Sequence, residues 1–179
     1  MGEAQERDYP WYTVVGAGAS LSQGDFFDGC PVLIPRMGQA QEGTQLVGGC
    51  ETYDVVVMSQ SCDLAHEKVQ LVLVCPVWDL DVFGRSSPYF GSRDGKNRLR
   101  RGDSPGYHLL NSCELEGHDR GFRVVDFRNV YGVPFDYLAA QRDAPRLRLL
   151  PPYREHLAQA FARFFMRVGL PLDIPPFVG

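Results

Sequence analysis

The stretch Ser59-Gln60-Ser61-Cys62-Asp63 sets five polar or reactive side chains directly behind a hydrophobic run. Strand ends commonly display functional groups, and a cysteine there attacks as its thiolate, which needs a nearby base or cation. Cys62 is the candidate nucleophile, with Asp63, Ser59 and His108 as assisting groups. His108 enters because Tyr107-His-Leu-Leu reads as a strand able to lie beside the Cys62 turn. On these residues the chain would be a cysteine-dependent hydrolase or nuclease. The competing expectation is a turn in which Ser59 or Asp63 caps backbone amides and Cys62 is a small buried side chain.

Cys62 and His66 also pair with Cys113 and His118 as a Cys2His2 set, should the two segments meet. Thiolate and imidazole suit tetrahedral zinc. The order differs from the common finger and there is no CxxC pair, so the leading expectation is no cofactor, with zinc as the alternative. A third cluster is electrostatic. Arg93, Lys96, Arg98, Arg100 and Arg101 face only Asp94 within nine residues, a local charge of +4. Guanidinium forks match phosphate oxygens, and Tyr89, Phe90 and Tyr107 flank the cluster as surfaces on which unpaired bases could stack. A solvated loop, or a dock for acidic protein, would show the same charges. No regularly spaced carboxylate pair and no phosphate-cradling glycine motif is present.

The cluster sits within a larger asymmetry. Residues 1–84 carry 3 basic and 12 acidic groups, and residues 85–179 carry 15 basic and 10 acidic ones; 16 of the 18 cations are arginine. That excludes a uniformly basic nucleic-acid coat and a purely acidic protein. With 179 residues, 44% apolar, the chain can bury a core as one domain, 1–179. The apolar run 69–77 is far short of the ~20 residues that span a bilayer, and the polar, acidic N-terminus is no signal peptide. Five cysteines, an odd number, fit reduced thiols in the cytoplasm. Expected partners are nucleic acid or another protein, without membrane, in a homo-oligomer or heteromeric complex.

The elements that must position these groups read as many short strands and few helices. Runs at 54–59 and 69–77 lose the two-residue alternation and are expected as central strands buried on both sides. Residues 25–34 contain Gly29 and Pro31, marks of a bulge or edge. Weaker strands are expected at 12–15, 107–110, 122–127, 130–133 and 146–150, where Arg146-Leu-Arg-Leu alternates like a half-exposed strand. One amphipathic helix is expected over 151–169, with Leu157, Phe161, Phe164, Phe165 and Val168 on one face, Arg163 and Arg167 near its end, and Gly169 and Pro171 stopping it. Glycine-rich stretches at 35–53 and 78–106 are expected as long loops. Together these give a mainly β, α+β fold: a small β-barrel over 12–150 with a closing helix.

Gly24-Asp25-Phe26-Phe27 opening a strand, a glycine-rich stretch, Val55-Val-Val-Met-Ser59, a polar turn and Val69-Gln-Leu-Val-Leu-Val-Cys-Pro-Val77 together resemble the MazF/PemK-like toxin family. Phe122-Arg-Val-Val-Asp-Phe, the Arg-Leu-Arg-Leu segment and the final helix are similar to that family's tail. The resemblance covers residues 24–77 and 122–168. It implies an SH3-like barrel, contact with nucleic acid, and a toxin–antitoxin or phage-defence setting. Two departures matter: Thr52-Tyr53 stands where those ribonucleases usually carry arginine-proline, and Lys68-Val69 where serine or threonine often opens the next strand. The resemblance thus implies the barrel and its contacts rather than the family's RNA cleavage.

Overall fold

The two unalternating runs do lie in the middle of a sheet. The computed structural model describes residues 9–40 and 43–166. In it the chain forms β1 (Tyr12–Val15), β2 (Phe26–Ala40), β3 (Gly43–Val57), α1 (Ser61–Ala65), β4 (Leu71–Asp79), α2 (Leu80–Ser86), α3 (Pro88–Gly91), α4 (Arg93–Arg101), β5 (Tyr107–Leu110), β6 (Arg123–Asp126), β7 (Tyr131–Pro134), α5 (Phe135–Ala140), β8 (Arg146–Leu149) and α6 (Tyr153–Phe165). Six antiparallel strands form one sheet in the order β2-β3-β4-β6-β5, with β7 also paired to β4. Val55, Val57, Val72 and Val74 pack to one side of it; Val56, Cys75 and Val77 pack to the other. Complete burial of a valine stabilises by about 1.5–3 kcal/mol, which is why both faces of these strands are apolar.

β2 is an edge strand, and its register with β3 shifts between Phe27 and Cys30, where Gly29 takes φ +61°. The edge and the bulge are both where Gly29 and Pro31 put them. β1 and β8 pair in a second, two-stranded sheet. That sheet is tied to the first by an Asp25–Arg148 bridge and by Leu149 N donating to Gly24 O at 2.9 Å. On the far side, the Tyr12 hydroxyl donates to Asn111 O at 2.7 Å, just past β5. Strands from both sheets thus line one interior, and α6 covers it through Leu157, Phe161 and Phe164. No ladder joins β5 to β1 among the described residues, so the strands do not close into a barrel.

Three expectations need correction. Residues 35–53 are not a loop: β2 and β3 pair from Pro31 with Thr52 to Ala40 with Gly43, forming a two-stranded ribbon beyond the short β3–β4 ladder. Glycines in that ribbon make room rather than turns, Gly38 lying where a Cβ would press on Val47 at 3.0 Å. Residues 78–106 are not a loop either, since they hold α2, α3 and α4. Asp79 caps α2, Pro88 begins α3, Ser92 caps α4, and Gly102 ends α4 in the left-handed conformation. A Cβ on Gly84 would sit 2.9 Å from the Gly91 backbone, and one on Gly95 would sit 2.1 Å from the Tyr89 carbonyl oxygen, so these glycines let short helices touch. Lastly, α6 is described as ending at Phe165, which is 59% exposed at the rim of the apolar face. Arg167, Val168, Gly169 and Pro171 lie outside the described residues.

Candidate nucleic-acid interface

Helices α2 to α4 and strand β5 enclose a small core of Phe83, Leu99 and Val124, against which Phe90 and Tyr107 pack. The rings fix one another: Phe83–Tyr107 and Phe90–Tyr107 are edge-to-face with centroids 5.0 and 5.1 Å apart, and Tyr89 meets Phe90 at 5.2 Å. Two arginines border this platform. The Arg128 guanidinium lies 4.5 Å from the Tyr107 ring centroid and is held by two bonds to the buried Asp126, Nε to Oδ1 at 3.0 Å and Nη2 to Oδ2 at 2.9 Å. Arg98 donates to the Tyr89 hydroxyl at 3.3 Å and to the Asp103 carbonyl at 3.2 Å.

These groups line an open cavity of about 560 Å³, completed by Ser104, Pro105 and Phe164. Pro105 and Tyr107 are shared with a second, more enclosed cavity of about 300 Å³, lined also by Arg101, His108, His156, Gln159 and Arg163. Burial of His108, reinforced by the nearby His156, pushes its pKa down to about 4 and leaves it neutral at pH 7. Burial raises the Tyr107 phenol against the smaller opposing pull of Arg128, so it stays protonated.

The predicted cations divide. Arg98 and Arg101 line the two cavities. Arg93, Lys96 and Arg100 fall on another stripe of α4, at i, i+3 and i+7, and Lys96 pairs with Asp81 at 3.1 Å. The helix that replaced the expected loop is what separates them. Arg128, His156, Arg163 and Phe164 complete the site but were not singled out for it, because they come from elements distant in sequence. The cue that was readable is Tyr107 at the head of a strand, close behind an arginine-rich segment.

Of the Cys62 group, Cys62 and Asp63 stay together and His108 lies apart. Ser59 Oγ accepts from Leu73 N at 2.8 Å and pins β4, the backbone-capping role of an ordinary turn residue. Cys62 is exposed, not buried, and its Sγ lies 3.8 Å from Asp63 Oδ1. It lines a cavity with Gln23, Gln60, Ser61, Arg154, Glu155, Ala158 and Gln159, while His108 lines a different one. Topology is the reason: β5 is separated from β3, which leads into α1, by β6 and β4. The zinc set is likewise not assembled. No group of three or more His, Cys, Asp or Glu side chains among the described residues is placed to hold a metal, and Cys113 is buried in the interior away from the exposed His66.

Comparison with known proteins finds no matching family model, no matching curated protein and no matching solved structure. No helix among the described residues is long and apolar enough to cross a membrane.

Proposed function

We propose that this chain is a nucleic-acid-binding module that holds a single strand of RNA or DNA in the Tyr89–Arg128 cavity. The observation that carries this is the ordered layer of Arg128 on Tyr107, facing a cavity that also presents Tyr89 and Arg98. Ring and guanidinium planes stack on bases of any sequence, and spare guanidinium donors take phosphate oxygens. A solvated, structureless arginine loop would give neither. An open SH3-like barrel of the MazF/PemK type fits the shared interior lined by β1–β6 and β8 and covered by α6. A toxin–antitoxin or phage-defence setting rests on that resemblance, and a cytoplasmic location on the five unpaired cysteines. Cysteine-dependent hydrolysis has less support, since no histidine lines the Cys62 cavity among the described residues.

The test is fluorescence anisotropy with labelled oligouridine and oligothymidine over a range of salt. Binding should weaken steeply as salt rises, and Arg98→Ala should lower that slope by about one. Tyr89→Ala should cost about 1–3 kcal/mol with the slope unchanged. Absent binding, or binding indifferent to both substitutions, overturns the reading.

A further inference from the structure

The second cavity has a different chemistry from the first. Its lining offers two guanidinium groups, Arg101 from the end of α4 and Arg163 from α6, and two imidazoles, His108 from β5 and His156 from α6, with no carboxylate among them. Arg101 gives its Nε to Asp103 at 2.7 Å and Arg163 gives one Nη2 to Gln159 at 3.4 Å, so each guanidinium keeps donors. His108 is half-buried with its ring beside Phe127 and lines the cavity from β5. A cavity lined by two guanidinium groups and two imidazoles without a carboxylate points to an anionic ligand.

From this geometry we infer that the enclosed cavity seats the terminal phosphate of a strand whose bases lie on the adjoining aromatic platform. This rests on the single-strand reading above and adds to it a preference for phosphorylated ends. Three features select an end over an internal phosphate. The cavity is the smaller and more enclosed of the two, and α6 walls it with four residues, His156, Gln159, Ala160 and Arg163, so a continuing strand has no exit on that side. Two arginines, one of them also bonded to Asp103, offer forked donors to the near-double negative charge that a phosphate monoester carries at pH 7, where an internal diester carries one. Pro105 and Tyr107 border both cavities, so a terminal phosphate and the first stacked base would be bound side by side.

The experiment compares one oligouridine sequence bearing a 5′-phosphate, a 3′-phosphate or hydroxyls at both ends, each with an internal label. One phosphorylated end should bind at least tenfold tighter than the hydroxyl form. The double variant Arg101→Ala/Arg163→Ala should abolish that difference, the phosphorylated form losing at least tenfold more affinity than the hydroxyl form. Tyr89→Ala should weaken all three oligonucleotides alike and keep the preference. Equal binding of all three forms by the unaltered protein overturns the inference but leaves the single-strand reading standing. Failure of every oligonucleotide to bind overturns that reading. Binding of uridine monophosphate lost in Arg101→Ala/Arg163→Ala would then assign the cavity to free nucleotides, which also overturns the strand-end proposal. Far-ultraviolet circular dichroism of each variant separates lost binding from lost fold.

Discussion

Arg146 donates its Nε hydrogen to Asp25 Oδ2 at 2.8 Å across 121 residues of chain, and both side chains are buried. Arg148 joins from the same strand, giving Nη2 to Asp25 Oδ2 at 3.0 Å and Nε to Oδ1. The arginines also donate to the Ala19 and Ser20 carbonyls, and Asp25 Oδ2 accepts from Ser22 N at 3.1 Å. One carboxylate thus organises the seam between the two sheets.

Removing that carboxylate leaves two cations facing each other in a buried site. Asp25→Ala should destabilise by about 3–5 kcal/mol, because an uncompensated buried charge costs more than the pair gains. Arg148→Ala, at the partly exposed end of the trio, should cost markedly less. Urea denaturation of the two variants checks the order, and equal losses would contradict it.

Gly95→Ala puts a methyl 2.1 Å from the Tyr89 carbonyl oxygen, a clash with backbone that cannot rotate away. Alanine favours a helix over glycine by about 1 kcal/mol, whereas overpacking costs about 1–3 kcal/mol. With backbone as the obstacle, the clash wins. The expected outcome is a lower melting temperature and faster amide exchange confined to residues 88–101, with weaker oligonucleotide binding.

His108 makes stability depend on pH. Its folded pKa of about 4 lies below the ordinary 6.5, so between those values the unfolded chain binds a proton that the folded chain refuses. Stability is therefore full above pH 6.5 and falls progressively as pH drops toward 4, by at most about 3 kcal/mol from this group. Arg101 and Arg163 line the same cavity, and His156, which lines it too, acts on His108 in the same direction as burial. His108→Gln should flatten this part of the stability profile in ligand-free protein, measured by urea denaturation across that pH range.

The cysteines should react with thiol reagents in two classes. Cys50 and Cys62 are exposed, and Cys30, Cys75 and Cys113 are buried. Burial pushes the Cys30 thiol up to about 11 and the Cys75 thiol to about 12, which keeps both protonated as well as covered. Two thiols should react rapidly with an aromatic disulfide reagent in native protein, and the other three only in denaturant. Mass spectrometry of the labelled peptides identifies them.

Much of the sheet was legible because its signal is local. Val55 to Val57 and Val74 to Val77 announce burial on both faces, whereas Leu71 and Leu73 of the same run lie exposed, and Gly29 with Pro31 announces a bulge at an edge. The helices of 80–101 were hidden by Gly84, Gly91 and Gly95, which read as chain breakers when their neighbours in space are unknown. Their caps were present all along, in Asp79, Ser92 and Gly102. Arg146-Leu-Arg-Leu looked half-exposed because two arginines normally seek water; the buried Asp25 that holds them lies far away in the chain. The same distance hid the site's second half. Arg98 and Tyr89 are near neighbours in sequence, but Arg128 and Arg163 meet them only through β6 and α6.

The Asp25 seam also sets an order of events during synthesis. β1 has no strand partner until β8 emerges from the ribosome, and Asp25 has no counter-charge until the same residues arrive. Ordering entropy must be spent across that long separation before the contact returns anything. The nascent chain can assemble β2, β3 and β4 early, yet it carries a waiting strand and a lone carboxylate until about residue 150 is made. The arginines of β8 therefore meet Asp25 only once the chain has been made to about residue 150, with α6 still to follow.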